Sequence, residues 1–397
     1  MRSTDPELLA ALRRAGVSDV DDSGLVRALY SSDASLYRVL PRAVVRPRHG
    51  DEILATLEVC RSLGVPLTAR GAGTSIAGNA VGPGVVFDTS RHLNRVREVD
   101  AEAAVAVVEP GVVQAALQAE ARPHGLRFGP DPSTHNRCTI GGMIGNNACG
   151  SRALGYGRTS DNVVGLDVVT GSGTRLQLGG KNGCTPSTQA ELLLTELRGL
   201  VDGDLAAIRT ELGRFTRQVS GYALEHLLPE RGFDVARSLV GSEGTLALVL
   251  GATVRLVADP SQRCLVVLGY PTMADAADAA PSVLTHRPTA CEGLDSRIVQ
   301  RVREVPAAVV PELPRGEGWL IVELAGDDAD ELAARARRVI TDAVAVDNLV
   351  VTEPAEAAAI WRIREDGAGL AGRTSDGHPA HAGWEDAAVP VEQLGSY

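Results

Sequence analysis

Three short segments rich in glycine and other small residues constrain this chain more than any other feature. They read RGAGTSIAGN from Arg70, CTIGGMIGNNACG from Cys138 and VGSEGTL from Val240. Each lies at the edge of a predicted strand or helix, and glycine loses more conformational freedom on folding than any other residue. Because ordering three such segments is unfavourable when they hold nothing, we expect them to share a ligand.

The first segment follows a predicted strand, VPLTA, and suits a pyrophosphate. Its glycines let backbone N–H groups turn toward an anion, and the hydroxyls of Thr74 and Ser75 add donors. The segment is not a Rossmann fingerprint, because the third glycine is misplaced. It is not a Walker phosphate loop either, because Asn79 stands where lysine is required. A glycine-rich turn without a ligand is an equal alternative from this segment alone.

The second and third segments suit a larger ligand. The sequence PDPS from Pro130 precedes four glycines and two asparagines within residues 138–150. We expect this span to form neither ordinary strand nor helix, and its backbone to lie flat against a planar ligand. In the third segment Glu243 lies between two glycines, where its carboxylate can accept hydrogen bonds from ligand hydroxyls.

The pattern around these segments predicts an α+β chain. Short apolar runs alternate with helical stretches through the first half, and AVV and VPLTA, separated by one helix, predict a parallel strand pair. Residues 181–235 carry less pattern. We place a helical lead-in at residues 1–40, a first domain at 41–260 and a second domain at 261–397.

The second domain shows its own alternation of strands and helices after the turn sequence DPSQ at residues 259–262. This alternation favours an antiparallel sheet with helices on one face, in a ferredoxin-like arrangement. The final residues, EDAAVPVEQLGSY, resemble an element cut through its beginning, so we expect this domain to be incomplete.

Charge and cysteine content exclude several classes of protein. Lys and Arg number 39 against 50 Asp and Glu, a net charge of −11, so the chain lacks the basic face that nucleic-acid binding needs. Its six cysteines are scattered without a C-x-x-C pair, which fits neither a disulfide framework nor a zinc or iron–sulfur site. No secretory signal and no apolar run near the roughly 18 residues of a membrane span occur, so we expect a cytoplasmic protein without a transmembrane segment.

The motifs RGAGTS, PDPS…CTIGGMIGNNACG, YGRTSDNVVGLDVV and SLVGSEGTLALV, in this order, resemble the FAD-binding domain of FAD-linked oxidases. This is the vanillyl-alcohol-oxidase superfamily, and the resemblance is closest over roughly residues 37–260. Within it the chain is similar to the D-lactate, glycolate and D-2-hydroxyglutarate dehydrogenase branch, and to the N-terminal part of its iron–sulfur-fused members. The resemblance implies an α+β fold, with a p-cresol-methylhydroxylase-type FAD-binding domain of two α+β subdomains followed by an incomplete ferredoxin-like cap.

The resemblance also implies roles for individual residues. The FAD pyrophosphate would be held by Arg70, Gly71, Ala72, Gly73, Thr74 and Ser75. The ribityl and flavin side would be lined by Asp131, Pro132, Ser133, Thr139, Gly141 and Gly142, and continued by Asn146, Asn147 and Gly150. Glu243 and Gly244 would lie near the ribityl chain or the adenosine ribose. Because the first segment lacks the histidine to which some relatives attach flavin, we expect non-covalent FAD.

The implied reaction is removal of a hydride from the α-carbon of a small D-2-hydroxy acid to the flavin. The flavin supplies the redox chemistry, while the protein orients the substrate and stabilises its charges. Arg364, in the helical motif IWRIRE, falls on the position of the family's substrate-carboxylate arginine. A solvated helix arginine paired with a nearby carboxylate is the equal alternative. The electron acceptor stays open, with an iron–sulfur protein and a quinone as the candidates, and a peripheral location at the inner membrane face stays open beside the cytoplasmic one.

The chain departs from the family pattern near its end. Trp384 stands where 2-hydroxyglutarate-type relatives have lysine, as in the longer iron–sulfur-fused members, and the relatives' histidine-rich metal and base motif is absent. His378 and His381 are separated by Pro379 without a third ligand, so we expect no metal site. Two functions follow: an FAD-dependent 2-hydroxy-acid dehydrogenase, or a truncated FAD-binding module that does not turn over. An NAD-dependent Rossmann enzyme is disfavoured by the fingerprint spacing.

Overall fold

A computed structural model describes residues 5–179, 187–215, 218, 221–305, 310–370, 378 and 388–397. The chain divides into unit 1 (Met1–Cys149 and Arg158–Ala258) and unit 2 (Gly150–Gly157 and Asp259–Tyr397). The strands are β1 (Val20–Asp21), β2 (Ala43–Val45), β3 (Leu67–Arg70), β4 (Val85–Asp88), β5 (Val96–Asp100), β6 (Val105–Val108), β7 (Leu126–Phe128), β8 (Val163–Thr170), β9 (Arg175–Gly179), β10 (Ala247–Ala258), β11 (Gln262–Tyr270), β12 (Ala290–Asp295), β13 (Gly318–Gly326) and β14 (Asp347–Val351). The helices are α1 (Pro6–Arg14), α2 (Gly24–Leu29), α3 (Gly50–Ser62), α4 (Gln114–Ala121), α5 (Ile140–Asn146), α6 (Ala153–Tyr156), α7 (Thr159–Asn162), α8 (Thr188–Gly203), α9 (Leu205–Glu211), α10 (Val235–Leu239), α11 (Met273–Leu284), α12 (Ser296–Arg303), α13 (Ala329–Ala343) and α14 (Pro354–Leu370).

The first sheet of unit 1 has the strand order β1-β2-β4-β3. The predicted parallel pairing of β2 with β3 is wrong, because each of them pairs in parallel with β4, which lies between them. All four residues of β4 are buried, whereas those of β3 are only partly covered. A strand apolar on both faces takes the central position, and this pattern places β3 at the edge. The glycine-rich segment after β3 therefore leaves the sheet at its margin.

The second sheet of unit 1 is antiparallel, with the order β5-β6-β10-β8-β9, and β7 pairs with β10. The predicted strand TLALVLGATVRLV is confirmed as β10, on which this sheet is centred. Helices α8 and α9 occupy a region whose sequence carried little pattern. In α8, Ala190 and Val201 are buried, and Leu193, Leu194 and Leu197 pack partly exposed against the same core.

The second glycine-rich segment contains helix α5, and the prediction that this span forms neither strand nor helix is wrong. Thr139 caps the helix, since its Oγ1 accepts from the N–H of Gly142 at 3.2 Å. Ile140 and the two apolar residues of the following turn are buried along one side. A side chain on Gly141 would approach the carbonyl oxygen of Pro110 to 2.8 Å. Glycine therefore serves close packing here, and capping and burial outweigh its low helix propensity.

Unit 2 is built on an antiparallel sheet of order β12-β13-β11-β14. Its strand–helix alternation confirms the ferredoxin-like arrangement, but the expectation of helices on one face alone is wrong. Val266 of β11 packs in the core with α11 and α13, whereas its neighbours Leu265 and Val267 pack in the core with α12 and α14. Because both faces of β11 are apolar, both are covered by helices.

Candidate functional site

The segment after β3 presents a run of unengaged backbone donors. The N–H groups of residues 71–75 have no hydrogen-bond acceptor in the part of the chain that the structure describes. Gly73 adopts a left-handed conformation, with φ of 68°. Successive N–H groups in such a turn form a concavity that binds anions. The backbone thus offers the donors that the sequence predicted for a pyrophosphate.

The side chains of the same segment hold its shape. Arg70 donates from Nη1 to the carbonyl oxygen of Ala80 at 3.0 Å, and a Cβ on Gly73 would overlap the Arg70 guanidinium. Ser75 Oγ accepts from the N–H groups of Ala77 and Asn79, each at 3.3 Å. The side chains of Arg70 and Ser75, predicted to hold the pyrophosphate, therefore also hold the loop in its conformation.

The second segment is held at both of its ends. Asp131 donates its N–H to the carbonyl oxygen of Cys149 at 2.9 Å, which joins the PDPS turn to the end of the segment. Gln114 Nε2 donates to the carbonyl oxygen of Pro130 at 2.9 Å. The Oε1 atom of Gln114 is buried and lacks a partner within the described residues. Because a buried acceptor without a partner is unfavourable, a hydrogen bond from a ligand donor to Gln114 Oε1 would be stabilising.

The motif YGRTSDN supports this segment from α7. Thr159 donates its N–H to the carbonyl oxygen of Ala148 at 2.9 Å, and Ser160 donates its N–H to Asn147 Oδ1 at 3.0 Å. Asn147 itself ends α5 in a left-handed conformation, with φ of 56°. The predicted wall residue Asn147 therefore uses its side chain to fix the turn that follows the helix.

The third segment docks on the C-terminal end of α5. Glu243 donates its N–H to the carbonyl oxygen of Gly145 at 2.9 Å, and its Oε1 accepts from Asn146 Nδ2 at 3.0 Å. Gly241 donates its N–H to the carbonyl oxygen of Ile144 at 2.8 Å. One Glu243 oxygen, predicted to accept from ligand hydroxyls, is thus already paired with the predicted wall residue Asn146.

The three segments converge within unit 1. A Cβ on Gly71 would overlap Thr139 Oγ1, so the first loop lies against the cap of α5. A Cβ on Gly244 would lie 4.0 Å from the Cβ of Ala69, which brings the third segment to the end of β3. Ala72 and Thr74 belong to the first loop, and Pro132 and Ser133 belong to the turn next to the second segment. Gly150 and Arg364 lie in unit 2 instead.

Arg364 lies on α14 and pairs with a carboxylate. Its Nε donates to Glu292 Oε2 at 3.0 Å, and the two side chains are 28% and 24% exposed. This pairing is the alternative that the sequence left open. The Nη groups of Arg364 donate to no acceptor among the described residues, so a planar pair of donors is left for an anion.

Unit 2 contains a buried ion pair, between Arg152 and Glu323, that was not predicted from the sequence. Arg152 donates from Nε and Nη2 to the two carboxylate oxygens of Glu323, at 2.7 and 2.6 Å, and Thr289 Oγ1 donates to Glu323 Oε1 at 3.0 Å. Glu323 is only 3% exposed. Burial alone would raise the pKa of Glu323, but the hydrogen bonds and charge of Arg152, together with the Thr289 hydrogen bond and the charge of Arg263, hold that pKa below its ordinary value. A carboxylate inside the apolar run LIVELAG was the available signal.

The described residues contain no group of three His, Cys, Asp or Glu residues placed to hold a metal ion. The prediction of no metal site stays a prediction because His381 lies outside them, and Trp384, which replaces the relatives' lysine, also lies outside them. None of the helices in the described residues is long and apolar enough to cross a membrane.

Two segments of the chain match family models of FAD-linked oxidase domains. Residues 41–179 match the family model of the FAD binding domain, and residues 259–397 match that of the C-terminal domain of FAD linked oxidases. The chain is 31% identical to D-2-hydroxyglutarate dehydrogenase of Pseudomonas putida over 416 residues, which cover 99% of this chain and 41% of that protein. It is 31% identical to D-lactate dehydrogenase of Archaeoglobus fulgidus over 325 residues, which cover 78% of this chain and 61% of that protein.

Solved structures agree at the level of the fold. Alkyldihydroxyacetonephosphate synthase superposes with a TM-score of 0.66 at 17% identity, covering 92% of this chain and 66% of that one. The chain spans about two fifths of the length of the D-2-hydroxyglutarate dehydrogenases that it matches. The chain therefore belongs to the FAD-linked oxidase family, with the α+β, p-cresol-methylhydroxylase-type fold and the FAD cofactor that the resemblance of its motifs implied.

Proposed function

We propose that this chain is the FAD-binding and substrate-binding part of a dehydrogenase that oxidises a D-2-hydroxy acid of the D-lactate, glycolate or D-2-hydroxyglutarate class. The observation that carries the proposal is the convergence of three glycine-rich segments around the open N–H groups of residues 71–75. Relatives named for D-2-hydroxyglutarate and D-lactate support the substrate class.

The residues of unit 1 fit FAD. The N–H groups of residues 71–75 would bind the diphosphate, because five adjacent donors suit two neighbouring phosphate groups. Gln114 Oε1 would accept from a hydroxyl or N–H group of the cofactor beside Pro130. The bound flavin supplies the two-electron acceptor for the hydride. The first segment has neither histidine nor cysteine, so we propose that FAD is bound without a covalent link, and acid precipitation of the loaded chain should release it.

We propose that Arg364 binds the substrate carboxylate through its Nη groups. Arg364→Lys keeps the charge but loses the planar fork, so the substrate concentration for half-maximal flavin reduction should rise about ten- to a hundredfold. FAD affinity should stay unchanged, because the open N–H groups of residues 71–75 and Gln114 Oε1, which we propose bind the cofactor, lie in unit 1. Arg362→Lys, at an exposed position on the same helix, is the matched control. An unaltered half-saturating concentration in Arg364→Lys would leave Arg364 as a structural partner of Glu292 only.

The test of the function is anaerobic mixing of the FAD-loaded chain with D-lactate, glycolate and D-2-hydroxyglutarate. We expect one of these acids to bleach the yellow band of oxidised flavin, and the L-enantiomers of lactate and 2-hydroxyglutarate to leave it unchanged. Retained FAD whose spectrum none of the acids alters would favour the alternative, a binding module without turnover. The limited coverage of the relatives' length motivates that alternative.

The reduced flavin must then pass its electrons on. We propose an iron–sulfur protein or a quinone as the acceptor, in a cytoplasmic protein that is peripheral at the inner membrane face when the acceptor is a quinone. Reoxidation of the reduced chain by a soluble quinone analogue, compared with reoxidation by a ferredoxin, separates the two.

A further inference from the structure

The segment of residues 30–38, which the sequence pattern marks only as part of a lead-in, contacts the first glycine-rich loop at several points. Ala34 donates its N–H to the carbonyl oxygen of Gly73 at 3.1 Å. Asp33 Oδ2 accepts from the N–H of Ala80 at 3.3 Å. The ring of Tyr37 lies where a side chain on Gly78 would be, with 2.6 Å between that Cβ and Tyr37 Cδ2. The segment therefore touches the loop in its middle and near its end.

The start of the loop is held from the same segment. The Arg70 guanidinium lies over the ring of Tyr30, 5.2 Å from its centroid. The hydroxyl of Tyr30 donates to Asp88 Oδ2 at 2.6 Å, and Asp88 is 6% exposed at the end of β4. The cation–π contact with Tyr30 favours one position of the Arg70 guanidinium. The hydrogen bond to Asp88 in turn holds the Tyr30 side chain against the sheet.

One residue, Ala80, links the two ends of the loop. Ala80 donates its N–H to Asp33, while its carbonyl oxygen accepts from Arg70 Nη1 at 3.0 Å. Asp33 is in turn fixed by its own turn, because its Oδ1 accepts from the N–H of Ser35 at 2.9 Å. Asp33 therefore positions Ala80 directly, and contributes to positioning Arg70 through the carbonyl group of Ala80.

These contacts from residues 30–38 matter because the N–H groups that would bind the ligand do not themselves stabilise the loop. The N–H groups of residues 71–75 make no hydrogen bond within the described residues, so these groups contribute nothing to ordering the loop before a ligand arrives. A site that must be ordered on binding loses affinity by the free energy of that ordering. Contacts from outside the loop reduce that loss.

We propose that residues 30–38 are a positioning element that preorganises the N–H groups of residues 71–75 for a diphosphate, with Asp33 as its central residue. The inference rests on the proposed placement of the FAD diphosphate in this loop. Its ligand class is an adenosine diphosphate ester, and the flavin ring plays no part in it.

The test compares the binding of FAD and of ADP-ribose to the 397-residue chain and its variants. In Asp33→Ala the Kd of both ligands should rise about ten- to a hundredfold, the range expected for loss of a hydrogen bond to a charged group. Asp33→Asn should restore most of the affinity, because its amide oxygen can still accept from Ala80. Asp22→Ala is the matched control, since Asp22 makes no hydrogen bond with the described residues.

A second pair of variants covers the case in which Asp33→Ala fails to fold. Tyr37 is 53% exposed, so Tyr37→Ala should fold and should weaken both ligands several-fold, whereas Tyr37→Phe keeps the ring against Gly78 and should bind normally. Wild-type affinity for ADP-ribose in both Asp33→Ala and Tyr37→Ala would overturn the proposal, as would a loss in Asp33→Ala that Asp33→Asn does not restore. Wild-type chain that binds FAD but is not reduced by any hydroxy acid contradicts the proposed enzyme activity and leaves this inference standing.

Discussion

Gly71→Ala is expected to weaken FAD binding by about ten- to a hundredfold, because overpacking at a fixed contact costs roughly 1–3 kcal/mol. The added methyl group would overlap Thr139 Oγ1. That oxygen cannot simply rotate away, since it accepts from the Gly142 N–H and caps α5. The first loop and the helix cap must therefore separate, and the three segments no longer converge. Fluorescence titration of the apo chain with FAD measures the change.

The matched control for this variant is Gly24→Ala. Gly24 is the first residue of α2, and a Cβ there meets no atom of the described structure within 4 Å. We expect wild-type FAD affinity from this variant. Equal affinity of Gly71→Ala and wild-type chain would mean that the contact between Gly71 and Thr139 has no part in cofactor binding.

Arg152→Ala is expected to reduce the free energy of unfolding by about 3–5 kcal/mol, because it leaves the buried carboxylate of Glu323 without its cation. Glu323 is 3% exposed and pairs with Arg152 through two hydrogen bonds. Both partners belong to unit 2, so the loss should appear in the unfolding transition of that unit. Denaturant unfolding followed by circular dichroism measures it.

The pH dependence of this variant should be opposite to that of the wild-type chain. In the wild type the pKa of Glu323 is lowered, so its contribution to stability is present at neutral pH and is lost as the pH falls through that pKa. Without Arg152, burial is opposed by the Thr289 hydrogen bond and the charge of Arg263, and because burial is the largest effect we expect the pKa of Glu323 to rise. The variant should then gain stability as the pH falls from neutral toward the ordinary pKa of a carboxyl group, because the buried carboxylate takes up a proton.

The control for the ion pair is Arg297→Ala. Arg297 makes a two-bond pair with Asp295 in the same unit, but its side chain is 88% exposed. Exposed pairs contribute little because water screens them, so we expect little change. A loss in Arg152→Ala no larger than that in Arg297→Ala would show that the buried pair does not stabilise unit 2.

Local pattern was sufficient to predict the long strands and the order of elements. Runs of Val and Leu identified β10, and the alternation of strand-like and helix-like segments after residue 260 identified the ferredoxin-like sheet, because buried elements carry apolar residues in runs or at regular spacing. The face covered by α12 and α14 was missed, since β11 and β13 are apolar on both faces and give no alternation to interpret. Strand neighbours were also missed, because β4 comes between β2 and β3 only in space.

The candidate site could be predicted only in part. The positions of the three glycine-rich segments could be predicted, because their high content of glycine and small residues is visible in the sequence. Helix α5 was not recognised, because glycine content suggested a loop while the cap at Thr139 and the packing against Pro110 decided the outcome. The Arg152–Glu323 pair joins residues 171 positions apart, and the contact of Asp33 with Ala80 joins residues 47 apart. No local pattern encodes such contacts.

Hydrogen–deuterium exchange of the apo and FAD-loaded chain tests the central claim most directly. The N–H groups of residues 71–75 have no acceptor in the described structure, so they should exchange fast without cofactor and slow markedly when FAD binds. Peptides covering residues 130–133 and 241–244 should slow together with them, whereas α13 in unit 2 should not change. Stoichiometric FAD bound without any slowing at residues 71–75 would contradict the account.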